Sequence, residues 1–332
     1  MVKIGIIGSG FGLYGLLPAF TSTRDCEVTS ICGSKTKQLI SYCQSIGLKK
    51  IYTDWQVMLT QEKLDALAIA VTPNAQYQIA KVAIQKGLHI FAEKPLAATY
   101  AQAKELLDLA EKLKIIHAID FEFPEIEEWK KVKEIIDKKT FGKLKQIYLN
   151  WDFLSYDIKH RKSSWKTDVK MGGGALALYF SHSLNYLEYY AGEILSFKSQ
   201  LSYSKESLGG GEVGVNLLLN FKNGVFGYAH LCCNTPGLNR HQLIFICQKG
   251  TIILENENSL VNFTIKIYKN NKMKQISISN GKDIKHNEDE RVRIVKKLTS
   301  KFVYSIIHKV KVIPSFNEGA RVQELIETIR VN

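Results

Sequence analysis

No run in the 332 residues approaches the ~18 consecutive apolar residues of a membrane-spanning helix. A membrane partner is therefore not expected. Met1 leads straight into a strand-like stretch, with no charged–apolar–small pattern of a secretory leader. The expected location is cytoplasmic. Cysteine is scarce and scattered. Cys26, Cys32, Cys43, Cys232, Cys233 and Cys247 form no C-x-x-C pair, and the eight histidines form no H-E-x-x-H. That spacing argues against a zinc or other metal site and fits buried thiols in a reducing compartment. Acidic residues are in deficit, 32 against 45 Lys and Arg, for a net charge of +13. Such a surplus suits nucleic acid, an anionic small molecule or plain solubility. The basic residues run through both halves, densest at 130–170 and 266–311, with no recognition motif among them. Nucleic acid is therefore not expected as a partner.

What is present is alternation. Lys3–Ile7, Val28–Cys32, Ile51-Tyr52, Leu67–Val71, Leu88–Ala92 and Ile115–Ile119 read as short apolar strands. Near-continuous apolar strands indicate a parallel sheet covered on both faces. Lys35–Ile46, Asn74–Lys86 and Tyr100–Leu113 carry apolar residues at helical spacing. Thr99 with Gln102 has the order of a capping box, Gly87 marks a helix end, and Pro18 should shorten or kink the first helix. After Pro124 the pattern changes. A helix over 125–138 leads into strand 144–153, a basic loop over 155–170, three glycines at 172–174 and a helix to about Tyr190. Residues 195–280 read as antiparallel strands, with Asn223-Gly224, Lys249-Gly250 and Asn270-Asn271 as turns. Val322–Ile329 is helical in pattern. The fold class expected is α/β, an N-terminal Rossmann dinucleotide-binding domain over 1–122. An α+β domain with a large open antiparallel sheet follows over 123–332, its last helix packing back on the first domain.

Gly8-x-Gly10-x-Gly12 follows a strand and opens a helix. Glycines there let the backbone approach a pyrophosphate, and the helix N-terminus favours its charge. The third glycine of the usual pattern falls at Leu13, and Phe11 lies between. The second strand ends in Gly33-Ser34-Lys35-Thr36-Lys37, without the carboxylate that pairs with a ribose 2′-hydroxyl. Ser34 and Lys35 suit a 2′-phosphate, so NADP(H) is the preferred cofactor and NAD(H) the second. Thr72-Pro73-Asn74 follows the fourth strand, at the sheet edge where ligands bind, and Asn74 also suits a helix N-cap. Glu93-Lys94-Pro95 ends the fifth strand and places a cation beside the cradle.

In these motifs the chain resembles the glucose–fructose oxidoreductase/inositol dehydrogenase/MocA (Gfo/Idh/MocA) family. The resemblance rests on Gly-Ser-Gly-Phe-Gly with Leu17-Pro18-Ala19-Phe20, on Thr72-Pro73-Asn74 and on Glu93-Lys94-Pro95-Leu96. Gly172-Gly173-Gly174-Ala175-Leu176 with His182, and Pro314-Ser315-Phe316 with Gly319 and Arg321-Val322-Gln323-Glu324, extend it to about residue 330. It implies hydride transfer between NAD(P) and a carbon of a sugar, cyclitol or sugar nucleotide, and a homodimer or homotetramer built on the second sheet. It also implies that Lys94 and His182 flank the reacting group as catalytic residues. Their chemistry agrees: an imidazole of near-neutral pKa takes the hydroxyl proton, and an ammonium stabilises the developing alkoxide.

Cofactor contacts are expected from Gly8, Gly10, Phe11, Gly12, Leu13, Ser34, Lys35, Thr72, Pro73, Asn74, Tyr77, Glu93 and Lys94. Substrate contacts are expected from Lys94, Tyr156, Trp165, Lys166, His182 and Asn185. The basic loop, with Lys159, Arg161, Lys162, Lys166 and Lys170, favours an anionic sugar. Several positions depart from the family pattern. Leu178 stands where an aspartate often precedes the histidine by one turn, and Asn185 where an aspartate is frequent. Phe180 replaces a common glycine and Tyr77 a common histidine. Asp120-Phe121-Glu122-Phe123 lacks an arginine that often follows. Leu178 motivates the alternative of a catalytically weak relative that senses a ligand.

Overall fold

A computed structural model of the chain describes residues 1–256, 261–276, 278 and 289–331. Its first strands are β1 (Val2–Ile7), β2 (Cys26–Cys32), β3 (Ile51–Tyr52), β4 (Ala66–Ile69), β5 (His89–Ala92) and β6 (His117–Ile119). Between them run α1 (Leu17–Thr21), α2 (Lys37–Ser45), α3 (Trp55–Gln61), α4 (Pro73–Gln85) and α5 (Tyr100–Lys112). Then come α6 (Glu127–Asp137), β7 (Leu144–Asp152), α7 (Tyr156–Lys159) and α8 (Ser181–Ala191). The strands β8 (Ile194–Tyr203), β9 (Glu212–Phe221), β10 (Phe226–Cys232), β11 (Arg240–Cys247), β12 (Gly250–Asn256), β13 (Thr264–Lys269) and β14 (Lys272–Ile276) follow, and α9 (Val292–His308) and α10 (Phe316–Val331) close the chain.

The first sheet is parallel, in the order β3-β2-β1-β4-β5-β6. This is the doubly wound arrangement, and its switch point lies between β1 and β4. The second sheet has the order β14-β13-β12-β11-β7-β10-β9-β8. It is antiparallel except at β7–β10, which run parallel. Buried and half-exposed residues alternate along β11, so one face is packed and the other is not. The Asn270-Asn271 turn has positive φ at both residues (50° and 60°), as a two-residue hairpin demands. The part of the antiparallel reading that falls on 257–260, 277, 279 and 280 lies outside the described residues.

By its contacts the chain divides into two compact units, Met1–Glu122 with Ile284–Glu324, and Phe123–Asp283 with Leu325–Asn332. The expected second domain over 123–332 therefore cedes a segment to the first unit. The physical cause is α9, a helix the sequence reading did not place. Its Val295, Leu298, Phe302 and Val303 are buried in one core with Leu16, Leu17, Phe20 and Phe91. Phe20, Phe91 and Phe302 pack edge to face, with centroids 5.4–6.3 Å apart.

Two helix starts also differ from expectation. Gly12–Leu16 is a wide π-type turn that runs into α1, with Pro18 in the first turn of that helix. Proline cannot donate to the preceding turn, and the wide turn absorbs the loss. Thr72, not Asn74, is the N-cap residue of α4, with Pro73 in the first turn. The Thr99 side chain accepts the Gln102 N–H at 3.2 Å, but the Gln102 side-chain Oε1 finds no donor among the described residues, so half of the capping box is made. Among the described residues no helix is long and apolar enough to cross a membrane, and no cluster of His, Cys, Asp and Glu is placed to hold a metal ion.

Candidate active site

In the first unit the loop after β1 is shaped by its glycines. Gly8 has φ +129°, and a Cβ there would run into the Ala70 carbonyl at the end of β4. Only glycine lets the loop close on that strand. A Cβ on Gly10 would meet nothing within 4 Å, which leaves open space at the mouth of the loop. A Cβ on Gly12 would stand at ordinary contact distance from Ile6 and Ala70. Leu13 is buried in the core, 1% exposed, so the wide turn and not a third glycine brings this helix onto the sheet. Phe11 lies across Gly15, and the Arg291 guanidinium sits 4.4 Å from its ring centroid. A strand, a glycine loop with free space and a helix start fit the diphosphate of a nicotinamide dinucleotide.

Gly33 packs against Ser9 of that loop, and Ser34 and Lys35 stand exposed beyond it. The Thr36 side chain caps α2. Asp54 accepts two N–H groups at the start of α3 and raises the pKa of the Cys32 thiol, after burial as the larger cause, to about 11. Burial likewise holds Cys26 and Cys233 up at about 12, which leaves these thiols un-ionised at neutral pH.

The turn carrying Lys94 is held by a residue that sequence reasoning missed. The side chain of Gln76, on α4, is 1% exposed. Its amide donates to the carbonyls of Glu93 (2.6 Å), Pro95 (3.0 Å) and Leu96 (3.1 Å), and accepts the Glu93 N–H at 3.2 Å. The Lys94–Pro95 peptide is cis. The signal was a glutamine on the same helical face as Ile79, Ala80 and Ala83. Tyr77, expected at the cofactor, gives its hydroxyl to Glu105 of α5, which also pairs with Lys81 at 2.6 Å. Desolvation lowers the Lys94 pKa, against the pull of Glu93 and Glu122. The charge of Arg291 acts on both Glu93 and Glu122.

In the second unit His182 lies on α8, 5% exposed, with its ring edge to face on Phe123 at 5.1 Å. Asn185 follows one helical turn later and is half-buried. A second wide turn, Leu176–Phe180, carries Leu178 into α8. Leu178 lines a small recess, partly open to solvent, with Asp157, Lys166, Tyr179, Glu212 and Cys233. Of the triple glycine, Gly174 lines it. Gly173 and Gly174 donate to the carbonyls of Asp168 (2.8 Å) and Lys166 (2.9 Å), and Arg330 ties Glu212 (2.8 Å) to the Gly173 carbonyl (2.6 Å). The Arg330–Glu212 clamp was also missed. Tyr156 is 61% exposed, but Lys162 lies over its ring at 4.6 Å and His160 beside it at 4.4 Å. Trp165 is half-buried and Lys166 exposed.

Comparisons with known proteins show the family. Residues 2–121 match the oxidoreductase family with an NAD-binding Rossmann fold, and residues 129–253 match the GFO/IDH/MocA C-terminal domain. The chain belongs to the Gfo/Idh/MocA family of oxidoreductases. An uncharacterized oxidoreductase of Synechocystis is 26% identical over 98% of this chain and 92% of its own. The D-glucoside 3-dehydrogenase of Escherichia coli is 29% identical over 45% of this chain and 42% of its own. Among solved structures, levoglucosan dehydrogenase with NADH and levoglucosan superposes with a TM-score of 0.86 at 19% identity, over 99% of this chain and 96% of that one. The 3-ketoreductase KijD10 of Actinomadura kijaniata, with NADP and TDP-benzene, covers 99% of this chain and 97% of its own, with a TM-score of 0.82 at 17% identity.

Proposed function

We propose that the chain transfers hydride between a nicotinamide and a CH–OH carbon of a sugar, cyclitol or sugar nucleotide, with NADP(H) preferred over NAD(H). The observation that carries this reading is Lys94 on a turn pinned by Gln76, at the carboxyl edge of a Rossmann sheet whose glycine loop has open space at Gly10. The names of the glucoside and levoglucosan dehydrogenases support the carbohydrate class. When bound, the cofactor supplies the redox step. The chain's own residues orient and move the proton. The Lys94 ammonium, in a desolvated setting, stabilises the alkoxide, and His182 takes the hydroxyl proton. Gly8, Gly10 and Gly12 receive the diphosphate, and Ser34 and Lys35 the 2′-phosphate. Lys166 and the other bases of the loop favour an anionic sugar. Second copies pair through the half-exposed face of the second sheet, where Leu218 and Phe226 lie exposed, as a homodimer or homotetramer.

The first test is titration of nucleotide-free protein with NADPH and NADH, followed by nicotinamide fluorescence. Tighter NADPH binding that Lys35→Ala weakens is expected, and equal binding of both overturns the preference. Turnover on a sugar and sugar-nucleotide panel should then fall at least ~100-fold in His182→Ala, the scale of a lost general base. Nucleotide binding without turnover on any member would favour the ligand-sensing alternative.

A further inference from the structure

Three carboxyl groups of the first unit, Glu93, Asp120 and Glu122, act on Lys94. Strand pairing sets the first two side by side. The Asp120 N–H donates to the Ala92 carbonyl at 2.9 Å, so Asp120 stands level with Glu93 where β5 and β6 end. Asp120 is 1% exposed. The two side chains thus leave neighbouring strand ends side by side, and each carboxyl acts on the other. Glu93 Oε2 also accepts the Lys94 N–H at 3.2 Å, while no donor of any described residue reaches Glu93 Oε1 or Asp120 Oδ1.

A carboxylate has no hydrogen to give, so two carboxyl groups bond only when one holds a proton. Two ionised carboxylates side by side at this largely buried sheet edge would repel each other with less screening than water gives. We propose that Glu93 and Asp120 share one proton, as a carboxylic acid–carboxylate pair that presents a single negative charge to Lys94 and so sets the charge state of that lysine. Its effect on turnover rests on the role proposed for Lys94; the proton itself does not.

The charged surroundings of the pair are consistent with it. Lys94, Glu122 and Arg291 are the other charged groups that act on these two acids. Arg291 is engaged with Asp289 through bonds of 2.6 and 3.0 Å, so part of its charge is spent there. Burial raises the pKa of both acids; Glu93 and Glu122 push Asp120 up further, whereas Lys94, Asp120 and Arg291 pull Glu93 down. Glu122, pushed by burial up to about 7, is divided between its two forms near neutrality. With both members of the pair ionised, up to three carboxylates would surround one ammonium. A shared proton removes one of those charges. Glu93 and Asp120 are thus positioning residues that act through Lys94.

Infrared difference spectra of the full chain against Asp120→Asn, at neutral pH without substrate, read the proton directly. A protonated-carboxyl C=O stretch that shifts in deuterium oxide and is missing from the variant is expected. Its absence from the native chain overturns the pair. Folding stability gives an independent reading, with Glu93→Gln as the second variant if Asp120→Asn does not fold. The native pair keeps a proton that the unfolded chain, with carboxyls near ~4, gives up. Native stability relative to the variant should therefore fall as pH rises, about tenfold in the unfolding constant per pH unit from ~5 until the pair itself ionises. A pH-independent difference overturns the shared proton. In turnover, Asp120→Asn should displace the pH profile of kcat/KM while KM for the nicotinamide stays within about twofold. An unchanged profile overturns the coupling to Lys94. A native chain inactive on every sugar would count against the enzyme reading, and the infrared and stability measurements would still decide the pair.

Discussion

Gln76 shows how much a single side chain contributes to presenting Lys94. Its amide meets three carbonyls and one N–H of the Glu93–Leu96 turn, all within 3.2 Å and out of solvent. Gln76→Ala removes those partners, and each group left buried and unpaired costs about 1–3 kcal/mol. The expected result is a drop of several degrees in Tm and a loss in kcat larger than the change in nucleotide affinity, because the turn loosens while the glycine loop is untouched. Thermal melts beside steady-state kinetics check it, and a fall in affinity with kcat preserved would contradict it. The motifs of the loop, of Thr72-Pro73 and of Glu93-Lys94-Pro95 were legible because each has a backbone reason for its residues. Gln76 was not, since a polar residue in a helix reads as solvent-facing until the other side of the turn is known. The hydroxyl of the next residue, Tyr77, serves Glu105 of α5.

Among the elements, α9 is where reading the sequence failed most. Val292–His308 intersperses six buried apolar residues with lysines and β-branched residues, and its neighbours along the chain gave no cap or stop to mark it. Its partners, α1 and the first sheet, are far away in sequence, 282 residues by count from Phe20 to Phe302, so nothing local announces the contact. The alternating strands and the Asn223-Gly224 hairpin were legible because period and turn chemistry are local signals. Phe302 is fully buried between Phe20 and Phe91. Phe302→Ala should cost about 3–5 kcal/mol through lost transfer energy and a cavity. Denaturant unfolding followed by circular dichroism measures it. A cost below about 1 kcal/mol, the range of surface changes, would mean that α9 does not close this core.

Across the whole molecule, the charge surplus and the departures from the family pattern bear on the same question. The +13 net charge has no nucleic-acid motif to account for it. The second unit carries a dense basic loop whose Lys166 lines the same recess as Leu178. With leucine where an aspartate often stands, that wall of the recess carries one acid fewer, although Asp157 and Glu212 remain. The surface lysines of the loop are solvent-exposed, so any attraction they exert is screened over ~8–10 Å at physiological salt. A phosphorylated or nucleotide-linked sugar should therefore show a KM that rises about threefold or more between low and roughly 0.5 M salt, while a neutral sugar's KM stays flat. Lys166→Ala should remove most of that difference, with kcat little changed, because the side chain attracts and holds the substrate and does not move its proton. Salt titrations of KM on matched neutral and phosphorylated sugars decide the matter: parallel curves for the two would mean that the basic loop serves solubility and not the substrate.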